Sequence, residues 1–290
     1  MELGLYNSCL LDWDLDRLLG WAAAHGYAAV EVHGGPRFRH VDWAAVAAGR
    51  ENPLVDIQNK HPVRIRGLMY GPLNFLAPDS AERSAALAYL DMLLQAARRG
   101  GVPLVSTFTG RDPRLSLEDN LERNRDVFAR IAELAERHGV DVAFENCPMF
   151  QVWPWVHNVA ISPLLWRQLF QIVDSPRVGL NFDPSHLVWQ GIDYLAALDE
   201  FRDRLKLVQA KDTEVLEEVR RDEGLLSPRW WRHRIPGEGM IEWAAFVGRL
   251  RQVGYDSVLS IEHEDPVYEG SEERVLDGLA RTRAHLQPLL

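Results

Sequence analysis

Short β-branched runs alternate along this chain with longer stretches in which apolar residues recur at helical spacing. That alternation is the pattern of successive βαβ units around a parallel sheet. Eight runs read as strands: Leu3 to Tyr6, Ala29 to His33, Arg64 to Met69, Leu104 to Phe108, Val140 to Phe144, Val178 to Phe182, Leu205 to Gln209 and Ser257 to Ile261. Several are apolar on both faces, as strands covered on both sides must be. Helix signals separate them. Asp79 with Glu82 and Ser116 with Asp119 fit the capping pattern, and Ser162 before Pro163 sets a cap ahead of a proline at the first helical position. Gly26, Gly100, Gly139 and Gly254 stand where helices should stop before the next strand. Between Arg37 and Pro62 the pattern predicts only a short Ala-rich helix with no sharp boundary.

Eight such units in one series, with no linker and no shift of composition, predict an α/β fold, a closed (β/α)8 TIM barrel occupying residues 1–290 as a single domain. An open doubly wound sheet is the competitor. It would carry a Gly-rich loop after the first strand, and Tyr6-Asn7-Ser8-Cys9 has no glycine. Composition then narrows the partners. With 32 Lys and Arg against 42 Asp and Glu, the net charge of −10 argues against a phosphate backbone, so no nucleic acid is expected. Cys9 and Cys147 are the only cysteines, and they read as packed thiols in a reducing compartment. No signal peptide and no run of about 18 apolar residues is visible, which predicts a soluble, cytoplasmic protein that does not enter a membrane.

In a (β/α)8 barrel the reactive groups project from the carboxyl ends of the strands. Here those ends read Phe144-Glu145-Asn146-Cys147-Pro148, Asn181-Phe182-Asp183-Pro184-Ser185-His186, Val208-Gln209-Ala210-Lys211-Asp212 and Ile261-Glu262-His263-Glu264-Asp265. Four consecutive strands therefore aim Glu145, Asp183, Gln209 and Glu262 at one mouth. Three converging carboxylates repel unless a cation neutralises them. A divalent metal held by three carboxylate oxygens and one amide oxygen resolves the conflict, and so hard a donor set favours Mn²⁺ or Mg²⁺, with Co²⁺ as a further fit. The plainer reading, that each acid caps a helix or pairs with a nearby arginine, weakens when all four fall at matching strand ends.

The ordered set of motifs, E-N-x-P, D-P-S-H, x-A-K-D, R-x-R-x-P-G-x-G and the final I-E-H-E-D, resembles the xylose isomerase-like barrel superfamily, specifically its sugar phosphate isomerase/epimerase branch. The likeness runs from Leu3 to about Leu286 and is densest between Phe144 and Asp265. It implies one divalent cation held by Glu145, Asp183, Glu262 and residue 209, with Glu145 and Glu262 as acid and base on opposite faces of a sugar. Gln209 departs from the pattern, because similar proteins usually carry His there. An amide oxygen is a harder and weaker donor than imidazole, so lower metal affinity is expected.

The chemistry such a site suits is proton abstraction next to a carbonyl, through a metal-stabilised enediolate. Protonation on the other face gives epimerisation, and protonation of the neighbouring carbon gives isomerisation. Loss of a β-hydroxyl makes the enzyme a lyase or dehydratase of a keto-sugar, inosose or oxidised glycoside. His186 could donate to a substrate hydroxyl, Lys211 could hold an enediolate oxygen, and Arg234, ahead of Arg232 and His233, is the expected substrate contact from the loop beginning at Trp230. Trp153, Trp155, Trp189, Trp230 and Trp231 could stack on the sugar, while Trp21, Trp43 and Trp243 read as helix packing. Tyr6, Glu31, His33 and Asn74 could complete the wall, or bond only within their own turns. The substrate is thus a small sugar or sugar derivative. A DNA repair endonuclease of similar barrel type would need further histidines at strand ends three, four and seven. A catalytically silent sugar-binding barrel stays open because of Gln209, as does assembly into a homo-oligomer.

Overall fold

A computed structural model of the chain describes residues 1–148 and 157–290. Its strands are β1 (Glu2–Tyr6), β2 (Ala29–His33), β3 (Arg64–Met69), β4 (Leu104–Thr107), β5 (Asp141–Glu145), β6 (Val178–Phe182), β7 (Leu205–Ala210), β8 (Asp212–Val215), β9 (Trp231–Arg234) and β10 (Val258–Ile261). Eight of them close into a parallel barrel in the order β1-β10-β7-β6-β5-β4-β3-β2. β8 and β9 stand apart as an antiparallel hairpin at the carboxyl end of β7. The eight runs read from the sequence are the barrel strands, shifted by at most a residue or so at their ends. The hairpin was not among them, because its two four-residue strands, Asp-Thr-Glu-Val and Trp-Arg-His-Arg, are mostly polar and carry no sustained apolar alternation.

Local chemistry accounts for the helices. Asp79 Oδ1 accepts from Ala81 N and Ser116 Oγ from Asp119 N, so both expected caps form. Ser162 is a cap by position with Pro163 behind it, although its side chain makes no capping bond. The helix Ser80–Gly100 ends one residue later than expected. Gly101 takes the left-handed φ of 67°, while Gly100 is the last helical residue, and a Cβ there would collide with Leu54. Between Arg37 and Pro62 the one expected helix is two, Trp43–Ala48 and Pro53–Lys60.

The main core lies between barrel and helices, with Trp166, Phe128, Phe144, Phe182 and Phe246 fully buried. Each such side chain contributes about 1.5–3 kcal/mol through removal from water. Trp21 is half-buried, and Trp43 and Trp243 are buried, as helix-packing residues should be. Both cysteines are half-buried and outside any disulfide: Cys9 packs against the main core, Cys147 against Tyr6, Met69 and Phe108.

Inside the barrel the composition changes with height. Ala29, Leu104, Ala143, Leu207 and Val258 form an apolar floor. Residues two apart on a strand point the same way, so below Asp183 and Glu262 stand Asn181 and Ser260. With Glu31 and Ser106 they make a layer drawn from alternate strands, and all four are fully buried. No helix among the described residues is long and apolar enough to cross a membrane.

Candidate active site

The ends of β5 and β6 are clamped to each other by one asparagine. Asn146 Nδ2 donates to the Asp183 carbonyl and its Oδ1 accepts from Asp183 N, both at 2.8 Å. This two-way bond sets the spacing between Glu145 and Asp183. Asp183 then caps the short helix Pro184–Trp189, its Oδ1 accepting from Ser185 N at 2.8 Å. Because that oxygen is committed to the backbone, only Oδ2 is left to face the mouth. Asn158 adds a second tie, donating to the carbonyls of Glu145 and Cys147 at 2.8 Å and accepting from Thr109 N at 3.0 Å. The E-N-x-P and D-P-S-H motifs are therefore geometry as well as chemistry.

Glu145, Asp183 and Glu262 converge as expected, with one oxygen from each inside a 4.8 Å cluster and with 2%, 0% and 5% of their surfaces exposed. Lys211 reaches into them. Its Nζ lies 2.7 Å from Glu262 Oε2, 3.1 Å from Asp183 Oδ2 and 3.0 Å from Glu264 Oε2. The plainer reading of Lys211, a salt bridge with Asp212 or with one of the clustered carboxylates, holds in its second form: the partners are Asp183 and Glu262. Burial and mutual repulsion push the Glu145 carboxyl well up; burial raises Asp183, and raises Glu262 to about 8 against the pull of Lys211. Glu264 moves the other way, held near 2 chiefly by the Lys211 ammonium. Burial would lower Lys211, but Glu262, Glu264, Asp183 and Glu145 outweigh it and keep the amine protonated. Glu264 was legible only as part of the last motif; its parity with Glu262 is the signal that puts it on the same side.

His186 lies against the same carboxylates, its Nε2 3.3 Å from Asp183 Oδ2 and 3.6 Å from Glu145 Oε1. Burial holds it neutral, with its pKa well below the usual imidazole range. His233 crosses it edge to face at 5.5 Å and is pushed down to about 4, first by burial and then by Lys211. Opposite, Tyr6 Oη meets His33 Nδ1 at 2.9 Å.

Two expected substrate contacts are corrected. Arg234 does not reach the mouth: its guanidinium is tied to Asp265 at 2.9 Å, to Glu214 at 3.0 Å and to Glu238. Alternation along β9 turns Arg232 and Arg234 toward Glu214, and Trp231 and His233 inward. His233, rather than Arg234, lies against His186 and, at 3.7 Å, Glu264. Asn74 is spent on backbone groups: its Oδ1 accepts from Leu76 N in its own turn and from Arg111 N, and its Nδ2 donates to the Arg111 carbonyl. It pins the loops after β3 and β4 rather than lining the cavity. Trp189 stacks on Trp231 at 4.6 Å with an interplanar angle of 7°, and Trp230 meets it edge-on. Trp153 and Trp155 lie outside the described residues. Asp212 anchors the hairpin, accepting from Thr213 N, Ile241 N, Gly237 N and Trp243 Nε1, and leaves no room for a Cβ at Gly239.

Gln209 faces inward at the level between Ser260 and Glu262, fully buried, and neither end of its amide makes a hydrogen bond. Beside it, burial raises the Glu31 carboxyl to about 7 despite nearby Ser260, Arg66 and Gln209.

The mouth is a cavity of about 160 Å³ reached by Tyr6, His33, Glu145, Cys147, Lys211 and Glu262. Glu145, Asp183, Glu262 and Glu264 face the Lys211 ammonium here, with Arg37 the other cation lining the cavity. That surplus of buried anionic oxygen fits a divalent cation held by Glu145, Asp183 and Glu262.

A sequence profile for the family described as xylose isomerase-like TIM barrel matches residues 19–285. The chain is 31% identical over 154 residues to an inosose dehydratase of Lacticaseibacillus casei, an alignment covering 51% of this chain and 49% of that enzyme. It thus spans about half the length of that relative. The fold is similar to that of the IOLI protein with a bound zinc atom (TM-score 0.77, 18% identity, 100% of this chain and 99% of that one). It is also similar to a D-tagatose 3-epimerase-like protein (TM-score 0.73, 19% identity, 100% and 98%).

Proposed function

The chain belongs to the xylose isomerase-like TIM barrel family, and on that footing we propose that it is a divalent-metal-dependent sugar isomerase or epimerase. The observation that carries this is the cluster of Glu145, Asp183 and Glu262 oxygens within 4.8 Å at the carboxyl end of the barrel. These three side chains would hold the ion, with the Gln209 amide oxygen as a fourth donor rising from the layer below. Bound there, an ion of the Mn²⁺ or Mg²⁺ class would orient two substrate oxygens and offset the charge that develops on them. Everything else is the work of the chain's own groups.

Glu145 ends strand β5 and Glu262 directly follows strand β10, and between them they can take a proton from a carbon beside a carbonyl and return one. Return to the opposite face of that carbon is epimerisation; return to the adjacent carbon is aldose-ketose isomerisation. Burial serves this role, since a carboxyl raised toward neutrality is both a competent base and a competent acid near pH 7. Lys211 keeps its proton and so presents a fixed positive charge to an enediolate oxygen. His186, neutral and with neither ring nitrogen hydrogen-bonded, offers its Nε2–H to a substrate hydroxyl. Trp189 and Trp231, stacked on each other beside His233, would wall one side and keep water from the reacting carbon.

A second reading is elimination. The likeness to an inosose dehydratase supports it, and it needs only that a β-hydroxyl leave from the same enediolate, taking a proton and departing as water. One experiment separates the two. The protein is incubated with Mn²⁺ in D₂O with a panel of ketoses, inososes and oxidised glycosides, and the mixtures are followed by NMR. Solvent deuterium at a carbon next to the carbonyl, with an epimer or isomer as product, is the expected result; an enone or dehydrated product would favour the lyase. Absence of any exchange, together with negligible metal in the native protein, would sink both.

A further inference from the structure

A second group of donors converges on the same wall and differs from the carboxylate cluster in kind. Cys147 Sγ, a ring nitrogen of His186 and a carboxylate oxygen of Glu145 all lie within 4.8 Å of one another. His186 is 2% exposed and neither ring nitrogen makes a hydrogen bond. A buried polar group left so costs about 1–3 kcal/mol each, which the fold sustains at a site that repays it. Cys147 and Glu145 both line the cavity at the mouth, so an ion from solvent can reach them. Cys147 also packs against the cluster of Tyr6, Met69 and Phe108.

Sulfur, nitrogen and oxygen together make a borderline-soft donor set, unlike the all-oxygen set of Glu145, Asp183 and Glu262. Zinc bonds of about 2.0–2.3 Å place neighbouring donors of a tetrahedral shell about 3.3–3.8 Å apart, within reach of side-chain adjustment from the observed cluster. We propose that Glu145, Cys147 and His186 form a thiolate-containing site for a soft divalent cation of the zinc class, adjoining the carboxylate cluster and sharing Glu145 with it. Water fills the fourth position, and binding releases the Cys147 thiol proton to solvent as the thiolate–metal bond forms. Occupancy takes the His186 nitrogen and a Glu145 oxygen away from a substrate. The site is therefore inhibitory, a consequence that rests on the reaction proposed above, whereas the binding itself does not.

The test is titration of the full chain with Co²⁺, read by absorption. The expected result is a near-ultraviolet thiolate-to-cobalt charge-transfer band with strong visible bands of a four-coordinate ion. Both should vanish in Cys147→Ser and Cys147→Ala, each checked for native circular dichroism. His186→Gln should weaken Zn²⁺ binding by about tenfold or more, as loss of a ligand does. Glu262→Gln, outside the donor set, should keep the band while losing Mn²⁺ binding followed by electron paramagnetic resonance, so the two metal sites can fail separately. Weak octahedral bands that are the same in wild type and Cys147→Ala would overturn the proposal. So would a charge-transfer band that survives in both Cys147 variants, since the sulfur would then be Cys9.

Discussion

Replacing Lys211 by methionine tests how the mouth balances its charge. The substitution keeps the length of the side chain and removes its ammonium, which contacts Glu262, Asp183 and Glu264 at 2.7, 3.1 and 3.0 Å. Glu262 and Asp183 are buried, whereas the Glu264 side chain is 44% exposed and adds little. Breaking a buried pair costs about 3–5 kcal/mol; uptake of a proton by the abandoned carboxylates relieves part of it, leaving about 2–4 kcal/mol. With 290 residues the entropy of unfolding is about 0.6 kcal/mol/K, so the Tm of the chelator-treated variant should fall by about 3–7 °C. A divalent cation uses the same oxygens and should restore the loss. At a hundred times its Kd it contributes about 2.7 kcal/mol, or about 4 °C here. With the repelling ammonium gone, the Mn²⁺-induced rise should be larger in the variant than in wild type. Thermal unfolding with chelator and with Mn²⁺, followed by circular dichroism, reads both differences. Equal melting of the two chelated proteins would refute the neutralising role of Lys211. A smaller Mn²⁺ shift in the variant would mean that the lysine helps to hold the ion.

Two further outcomes follow from the layer beneath the mouth. In the folded chain Glu31 keeps its proton to about pH 7, against an ordinary value of 4.5. The folded state therefore binds more protons between those pH values, and stability falls by about 3 kcal/mol as pH rises through that window. Glu31→Gln keeps the neutral shape at every pH, so its stability measured by urea denaturation should be flatter than wild type from pH 4.5 to 7; parallel curves would contradict this. Gln209→His restores the imidazole usual in similar proteins and should tighten Co²⁺ or Zn²⁺ binding by about tenfold or more, measured by calorimetry. An unchanged Kd would remove position 209 from the ligand set.

Reading the chain worked best where a side chain's direction depends on its own strand. Glu145, Asp183 and Glu262 could be placed at one mouth because a closed parallel barrel turns strand ends into a location, and alternation settles which residues face inward. It worked less well on the segment from Asp212 to Arg234. There, polar residues form a hairpin whose inward face is set by antiparallel pairing of Asp212 with Arg234 and Val215 with Trp231. The conspicuous arginine was favoured and the neighbouring His233 took the inward position. Asn74 reads as a wall residue only until Arg111, 37 residues on, is seen to occupy both ends of its amide.

The sequence by itself determined the fold and the identity of the three clustered acids, since period-two alternation, cap residues and strand order are local or topological properties. Tertiary structure alone decided where charge and hydrogen bonds go. Lys211 chooses Glu262 across 51 residues, Arg234 is taken by Asp265 across 31, and Asn146 clasps Asp183 across 37. Partner choice among charged and polar side chains depends on distances of a few ångströms in a buried, low-dielectric space, and no spacing along the chain encodes those distances.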